Sequence, residues 1–559
     1  MTAQAGLPAR AATFPPIPLR RRLYGFGSIY GKTIRDSRLA FIIAAGLLGG
    51  MALVMGVAIS NVFPTPASRL EVDKLIGSIP ASMVNIFGKP EKLGTLGGYM
   101  SWKYGAIFAL GTGLWSILAL SSTLASEASR GSLDFVAVTP FGKRRVALEK
   151  LAAHLTMLFL AIAILAIATT VSSNLFGDAA LGDPIPPLNA IGFALWVGFI
   201  GLFFGGVAFA LAPILGRSGA AGVAGLAMIV LWVANGLDAL GPLVALSPFR
   251  WTVDHIALVG EFAWGGLALV GVVAAAFLAI GVVAFTRRDV GITAGLSLPG
   301  LPGTVLGVRG PIGRAFGDQL PRTLAWGIGL GVMGALLASL VGPMATSIRD
   351  SADLLKVFSQ IFPDFDLGSA SGFLQLYVEL FYIAAGFAAA TLVSKWASDE
   401  TDGRLEMVLA TPLARARWVG AGGVAAIAAV ALITVVFAAG IGLGAAGGGV
   451  AAGDAMLGST ALGLFAIAMV GVGFAVGGLW RTSLAAEITA LVVIAMYLID
   501  LLAPALKLPD WVHQLALTAH LGQPMIGAWD AVGVVACVVV AVAGIGLGAW
   551  GFARRDVNA

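Results

Sequence analysis

The sequence predicts an all-α polytopic membrane protein with twelve transmembrane helices in two parallel-duplicated six-helix halves. Three observations predict it. Of 559 residues, 58% are hydrophobic and only 11% charged, too little charge to cover a soluble surface of this size. Apolar runs long enough to cross a bilayer, about 20 residues each, recur twelve times. Two loops half a chain apart carry nearly the same text. The 76 glycines and a mean hydropathy of +0.93 suit helices packed closely in lipid, where small residues let backbones approach.

Residues 1–38 contain no apolar segment of the signal-peptide kind. They read as a cytoplasmic tail followed by an interfacial amphipathic helix, its arginines and Lys32 facing the cytoplasmic leaflet. The first six-span half, 39–290, places its spans near 39–61, 104–125, 148–175, 189–215, 219–240 and 265–286. A cytoplasmic linker, 291–322, leads to the second half, 323–559, with spans near 323–343, 376–396, 418–447, 458–480, 483–505 and 530–553. Twelve spans put both termini on one side. That side holds 25 of the 34 Lys and Arg residues, and the opposite loops hold 17 of the 29 Asp and Glu residues. Both termini are therefore expected in the cytoplasm, in a multi-pass protein of a bacterial plasma membrane. The net charge of +5 reports topology and gives no reason to expect nucleic acid as a partner. The longer outer segments, 62–101 and 344–375, read as short interfacial helices. A single cysteine, Cys537, excludes an internal disulfide and a cysteine metal cluster.

The two similar loops are SEASRGSLDFVAVTPFGKRR from Ser126 and SDETDGRLEMVLATPLARAR from Ser398. A constant shift of 272 pairs Gly131 with Gly403, Leu133 with Leu405, Asp134 with Glu406, Thr139–Pro140 with Thr411–Pro412, and Arg145 with Arg417. The halves also end alike, FTRRDVG from Phe285 and FARRDVN from Phe552. A fixed offset of six spans keeps both copies on the same side, the mark of a parallel duplication. Each glycine can turn the chain along the membrane surface. A short helix follows, with Leu133, Val136 and Ala137, or Leu405, Val408 and Leu409, forming one apolar stripe. Asp134 and Glu406 fall in its first turn, where a carboxylate favours the positive helix end. The Thr-Pro pair stops it. Two such surface helices point to docking on a two-fold partner.

This text resembles the ABC-2 (type-2) transporter permease superfamily, whose coupling helix carries an acidic residue and then G-[ST]-L-[DE]-x-[LV]-hydrophobic-x-[TS]-P-x-x-[KR]-x-[KR]. The half-ending F-x-R-R-D and the LSPF at Leu246–Phe249 also suit that family. More narrowly, the chain is similar to fused twelve-span polyketide-antibiotic (tetronasin-type) and multidrug exporter permeases. The second half departs, with Leu517-Thr518-Ala519-His520 in place of LSPF. The resemblance implies export of a hydrophobic compound, drug- or lipid-like, driven by a separate ABC ATPase subunit in two copies. It places ATP and Mg on that partner and no cofactor on this chain. The coupling residues it implies are Glu127, Gly131, Leu133, Asp134, Thr139, Pro140 and Arg145, matched by Asp399, Gly403, Leu405, Glu406, Thr411, Pro412 and Arg417. It also implies that spans 2, 5, 8 and 11 line the pathway.

No catalytic constellation competes with this reading. GFGSIYGKT, from Gly25, ends like a phosphate-binding loop but has Phe26 where a glycine is required, and no strand precedes it. The four histidines lack metal-ligand spacing, and no G-x-S-x-G is present. Ionisable groups inside spans cost about 2.5–3.5 kcal/mol at the membrane centre, which draws attention to Asp238 and Asp500 near the outer ends of spans 5 and 11. Phe108, Trp115, Met228, Trp232, Asn235, Tyr382, Phe387, Met496 and Tyr497 offer an adaptable surface for a bulky apolar substrate; ordinary packing between helices is the competing account. Two other functions fit twelve spans: a proton-coupled secondary transporter, or a membrane enzyme or assembly protein without transport activity. The first predicts a G-x-x-x-D-R-x-G-R-R loop after span 2, which this chain lacks.

Overall fold

In lipid every backbone N–H and C=O must be satisfied within its own segment, so apolar stretches of this length become helices. The computed structural model describes residues 28–62, 65–74, 76, 84, 87–129, 142–235, 241–287, 310–361, 365–506 and 508–555. Among these, eleven helices are long and apolar enough to cross a membrane. In the first half they are span 1 (Ile29–Val62), span 2 (Gly105–Ser129), span 3 (Lys143–Phe176), span 4 (Pro187–Arg217) and span 6 (Trp264–Arg287). In the second half they are span 7 (Gly310–Arg349), span 8 (Ala370–Thr401), span 9 (Arg415–Gly448), span 10 (Ala452–Leu479), span 11 (Thr482–Leu506) and span 12 (Ala531–Arg554).

Span 5, expected at 219–240, is described only in part, because residues 236–240 lie outside the described residues. The chain breaks from helix at Gly216 (φ 70°, ψ 178°), and the described remainder, Gly219–Ala234, is a shorter apolar helix. At 1.5 Å per residue this described part rises about 24 Å. Two boundaries move. Span 1 begins at Ile29, absorbing part of the amphipathic segment, and span 7 begins at Gly310, inside the expected linker.

Packing relies on small residues. A methyl placed on Gly440 of span 9 would lie 2.0 Å from the Gly331 carbonyl of span 7. One placed on Gly444 would lie 2.2 Å from the Ala335 carbonyl, and one on Gly448 2.4 Å from the Ala338 carbonyl. Spans 7 and 9 therefore touch backbone to backbone along several turns. Spans 10 and 12 meet the same way through Gly478 and Gly548. The halves join where span 11 packs on span 1 and where Trp102 meets Phe358 edge-on at 6.3 Å. Outward faces are apolar, with Phe159, Ile167, Val272, Leu443 and Val532 all exposed, as lipid contact requires.

At the bundle end remote from Arg555, polar groups are buried and paired. Asp183 is fully buried and accepts from Arg69 Nη1 (2.5 Å), Leu96 N (2.8 Å) and Asp178 N (2.8 Å). His255 lies outside the spans. Its Nδ1 accepts from Ala263 N (3.2 Å), and its Nε2 lies 3.2 Å from the Gly192 carbonyl, which assigns the neutral ring with the proton on Nε2. Burial lowers its pKa from 6.5, and the Gly192 carbonyl opposes the shift. A depressed folded-state pKa gives stability that is complete above the unfolded value and lost as pH falls through the folded one. The melting temperature of the purified protein should therefore fall as the pH drops below about 6.5. A His255→Gln variant, followed by the same fluorimetric melts, should lose that part of the pH slope.

Candidate functional site

The second loop lies within the described residues. Span 8 ends because Gly403 adopts φ +70°, the left-handed geometry that glycine accepts without strain. Its N–H donates to the Glu400 carbonyl at 3.0 Å. The helix Leu405–Leu409 follows, with Glu406 in its first turn. Leu405 and Val408 are buried against the bundle, and Leu409 is half-buried. The apolar stripe thus seats the helix on the protein itself. What faces outward is Met407, 68% exposed, together with Glu406. Thr411 Oγ1 donates to the Val408 carbonyl at 2.6 Å, and Pro412 follows it.

Charge surrounds this helix. Asp399 sits 3.8 Å from both Arg314 and Arg404, and Arg404 also reaches Asp402 at 2.9 Å. Beside it lies an open groove of about 570 Å³ lined by Pro311, Arg314, Arg404, Met407, Val408, Thr411, Pro412, Leu413 and Arg417. It presents three guanidinium groups around an apolar floor. Two of the three, Arg314 and Arg404, are already paired with Asp399 and Asp402.

Of the first-loop residues, Gly131, Leu133, Asp134, Thr139 and Pro140 lie outside the described residues, as does the Glu127 side chain. Arg145 lies at the start of span 3, where its Nε donates to Glu149 (2.8 Å), which also accepts from Tyr30 N (3.1 Å). This joins the loop's exit to the start of span 1.

The pathway candidates are distributed through the packing. Phe108 stands edge-on to Phe193 of span 4, Trp115 edge-on to His154 of span 3, and Tyr382 edge-on to Phe465 of span 10. Met228 of span 5 abuts Gly113 of span 2. Trp232, Phe387, Met496 and Tyr497 are half-buried. Asn235 is buried, and its Oδ1 has no hydrogen-bond partner among the described residues. Asp238 lies outside the described residues. Asp500 accepts from Thr518 and lies 3.7 Å from His513.

The position that departs from LSPF keeps one function in both halves. Ser247 Oγ donates to the Leu231 carbonyl of span 5 at 2.9 Å, and Thr518, its counterpart, donates to Asp500 of span 11. A hydroxyl fastens the outer segment to the preceding span each time, to a backbone oxygen in one half and a carboxylate in the other.

Sequence reasoning missed a cluster at the loop end of the bundle. Arg555 Nη2 donates to both carboxylate oxygens of Glu400, at 2.7 and 2.6 Å. Glu400 also accepts from Thr482 Oγ1 at 2.5 Å. The repeated F-x-R-R-D ending was the available signal, since Arg555 is its second arginine.

Residues 308–553, the second half, match the family described as multidrug efflux system permease Rv1217c, C-terminal domain. The chain is also 26% identical over 527 residues to the multidrug efflux system permease protein Rv1217c of Mycobacterium tuberculosis (strain ATCC 25618 / H37Rv), covering 91% of this chain and 90% of that protein. With the fold and the doubled loop, these likenesses support a multi-pass membrane permease of the ABC-2 type.

Proposed function

We propose that the chain is the membrane-spanning permease of an ATP-binding-cassette exporter that moves hydrophobic drug- or lipid-like compounds outward across the plasma membrane, with both termini cytoplasmic. A separate ATPase dimer, which carries the ATP and Mg, docks on the two coupling helices. The observation that carries this reading is the second loop. Its helix is seated by Leu405 and Val408 and turns Met407 and Glu406 outward beside an arginine-lined groove. A loop that served only as a membrane tether would direct its apolar stripe at lipid headgroups. This one directs it inward and leaves a mixed apolar and charged face for a protein. The likeness to the Mycobacterium multidrug efflux system permease suits the same reading.

Reconstitution tests it. Co-expressed with an ABC ATPase subunit and placed in proteoliposomes, the chain should retain the ATPase through purification and move a hydrophobic dye such as ethidium only when ATP is hydrolysed. Transport that follows a proton gradient without ATP would transfer the protein to the secondary-transporter class.

A further inference from the structure

Both ends of the second coupling loop are held by one residue. Glu400 stands where span 8 gives way to the loop, and Arg415 where the loop enters span 9. The Arg555 guanidinium binds the Glu400 carboxylate through two bonds, and the Arg555 carbonyl accepts from Arg415 Nη1 at 2.7 Å. Arg555 Nη1 also donates to the Trp480 carbonyl at 2.8 Å, supplying a donor to the last turn of span 10 where helix carbonyls lack partners. Thr482, at the start of span 11, completes the ring through Glu400. The ion pair is well shielded, its side chains 17% and 10% exposed, so salt screens it little.

The duplication allows this ring to be sought in the first half. The shift of 272 puts Lys143 opposite Arg415, and the matching half-endings put Arg288 opposite Arg555. Opposite Glu400, however, stands Ala128. Of the three charged members, the two cationic ones recur, and the carboxylate that joins them does not.

We propose that Arg555 is a positioning residue that closes the second coupling loop into a ring fastened to spans 10, 11 and 12, and that the two coupling loops are mechanically unequal. A push on the second loop is then shared at once by spans 8 to 12, because Glu400, Arg415, Trp480 and Thr482 all terminate on the same cluster. The first loop has no carboxylate at the matching place to make that bond. The geometric claim stands on this chain alone; its consequence for transport rests on the permease reading.

The test has two arms. In the first, amide exchange is followed across 401–414 in the full chain, in nanodiscs without a partner. Glu400→Ala and Arg555→Gln should each speed exchange there by about tenfold or more, while spans 7 and 9 keep wild-type protection and so report an intact fold. Arg555→Lys should retain part of the protection, and the double variant should be no faster than either single one, as members of one network are not additive. Unchanged exchange, or simple additivity, overturns the proposal. In the second arm, with the ATPase bound, Glu400→Ala should lower dye moved per ATP hydrolysed about tenfold without releasing the ATPase. An unchanged ratio overturns the mechanical consequence. If the wild-type chain binds no ATPase, the permease reading fails while the exchange result still decides the ring.

Discussion

Replacing Asp183 by alanine is expected to cost about 3–5 kcal/mol, the range for breaking a buried ion pair from one side. The carboxylate is wholly buried and the Arg69 side chain nearly so. Three segments meet there: the helix Pro66–Lys74 after span 1, the helical entry to span 2 at Leu96, and the turn between spans 3 and 4. Alanine leaves the guanidinium in a site built for its counter-ion and strips an acceptor from the Leu96 N–H. Asparagine restores one acceptor and should recover only part of the loss. Thermal melts in detergent check this. A melting temperature within about 2 °C of wild type would show that solvent reaches the pair.

Gly403→Pro should lower ATP-driven efflux by about two orders of magnitude, the largest effect on activity expected here. Proline fixes φ near −65°, whereas Gly403 sits at +70°. Proline also deletes the N–H that donates to the Glu400 carbonyl. The exit of span 8 would then re-aim the helix Leu405–Leu409 and carry Met407 away from its present face. Gly403→Ala keeps the N–H and meets only the left-handed penalty of about 1–2 kcal/mol, so its effect should be much smaller. Efflux is measured in vesicles matched for the amount of inserted chain. Full efflux in the proline variant would mean that this helix does not transmit the drive.

Hydropathy located the spans because bilayer thickness leaves little choice of helix length, and the positions of Gly403, Glu406 and Pro412 outlined the second loop before any coordinates. The side to which the loop's stripe would turn was not legible. Leu405 and Val408 suit a partner's surface as well as this chain's own. The pairs that fasten the bundle were hidden for another reason: Arg555 and Glu400 are 155 residues apart, and Arg69 and Asp183 are 114 apart. Periodicity carries no information at such separations. The start of span 5 was legible because Gly216 leaves helical geometry just before Gly219, while residues 236–240 of that span lie outside the described residues.

The contact between spans 7 and 9 has a consequence for how the second half can move. Glycine and alanine carry no rotamer freedom to lose, so where Gly331, Ala335 and Ala338 meet Gly440, Gly444 and Gly448 the seam closes with less of the entropic cost borne by interfaces of long side chains. At the Gly440–Gly331 contact no side chain stands between the backbones to repack into a second arrangement, although Phe437 and Ile441 of span 9 pack on Gly334 close by. Elements that switch need two ways of fitting together, and this seam offers one. The contact of spans 8 and 11 is of the other kind, since Val493 leans on Gly386 through a side chain.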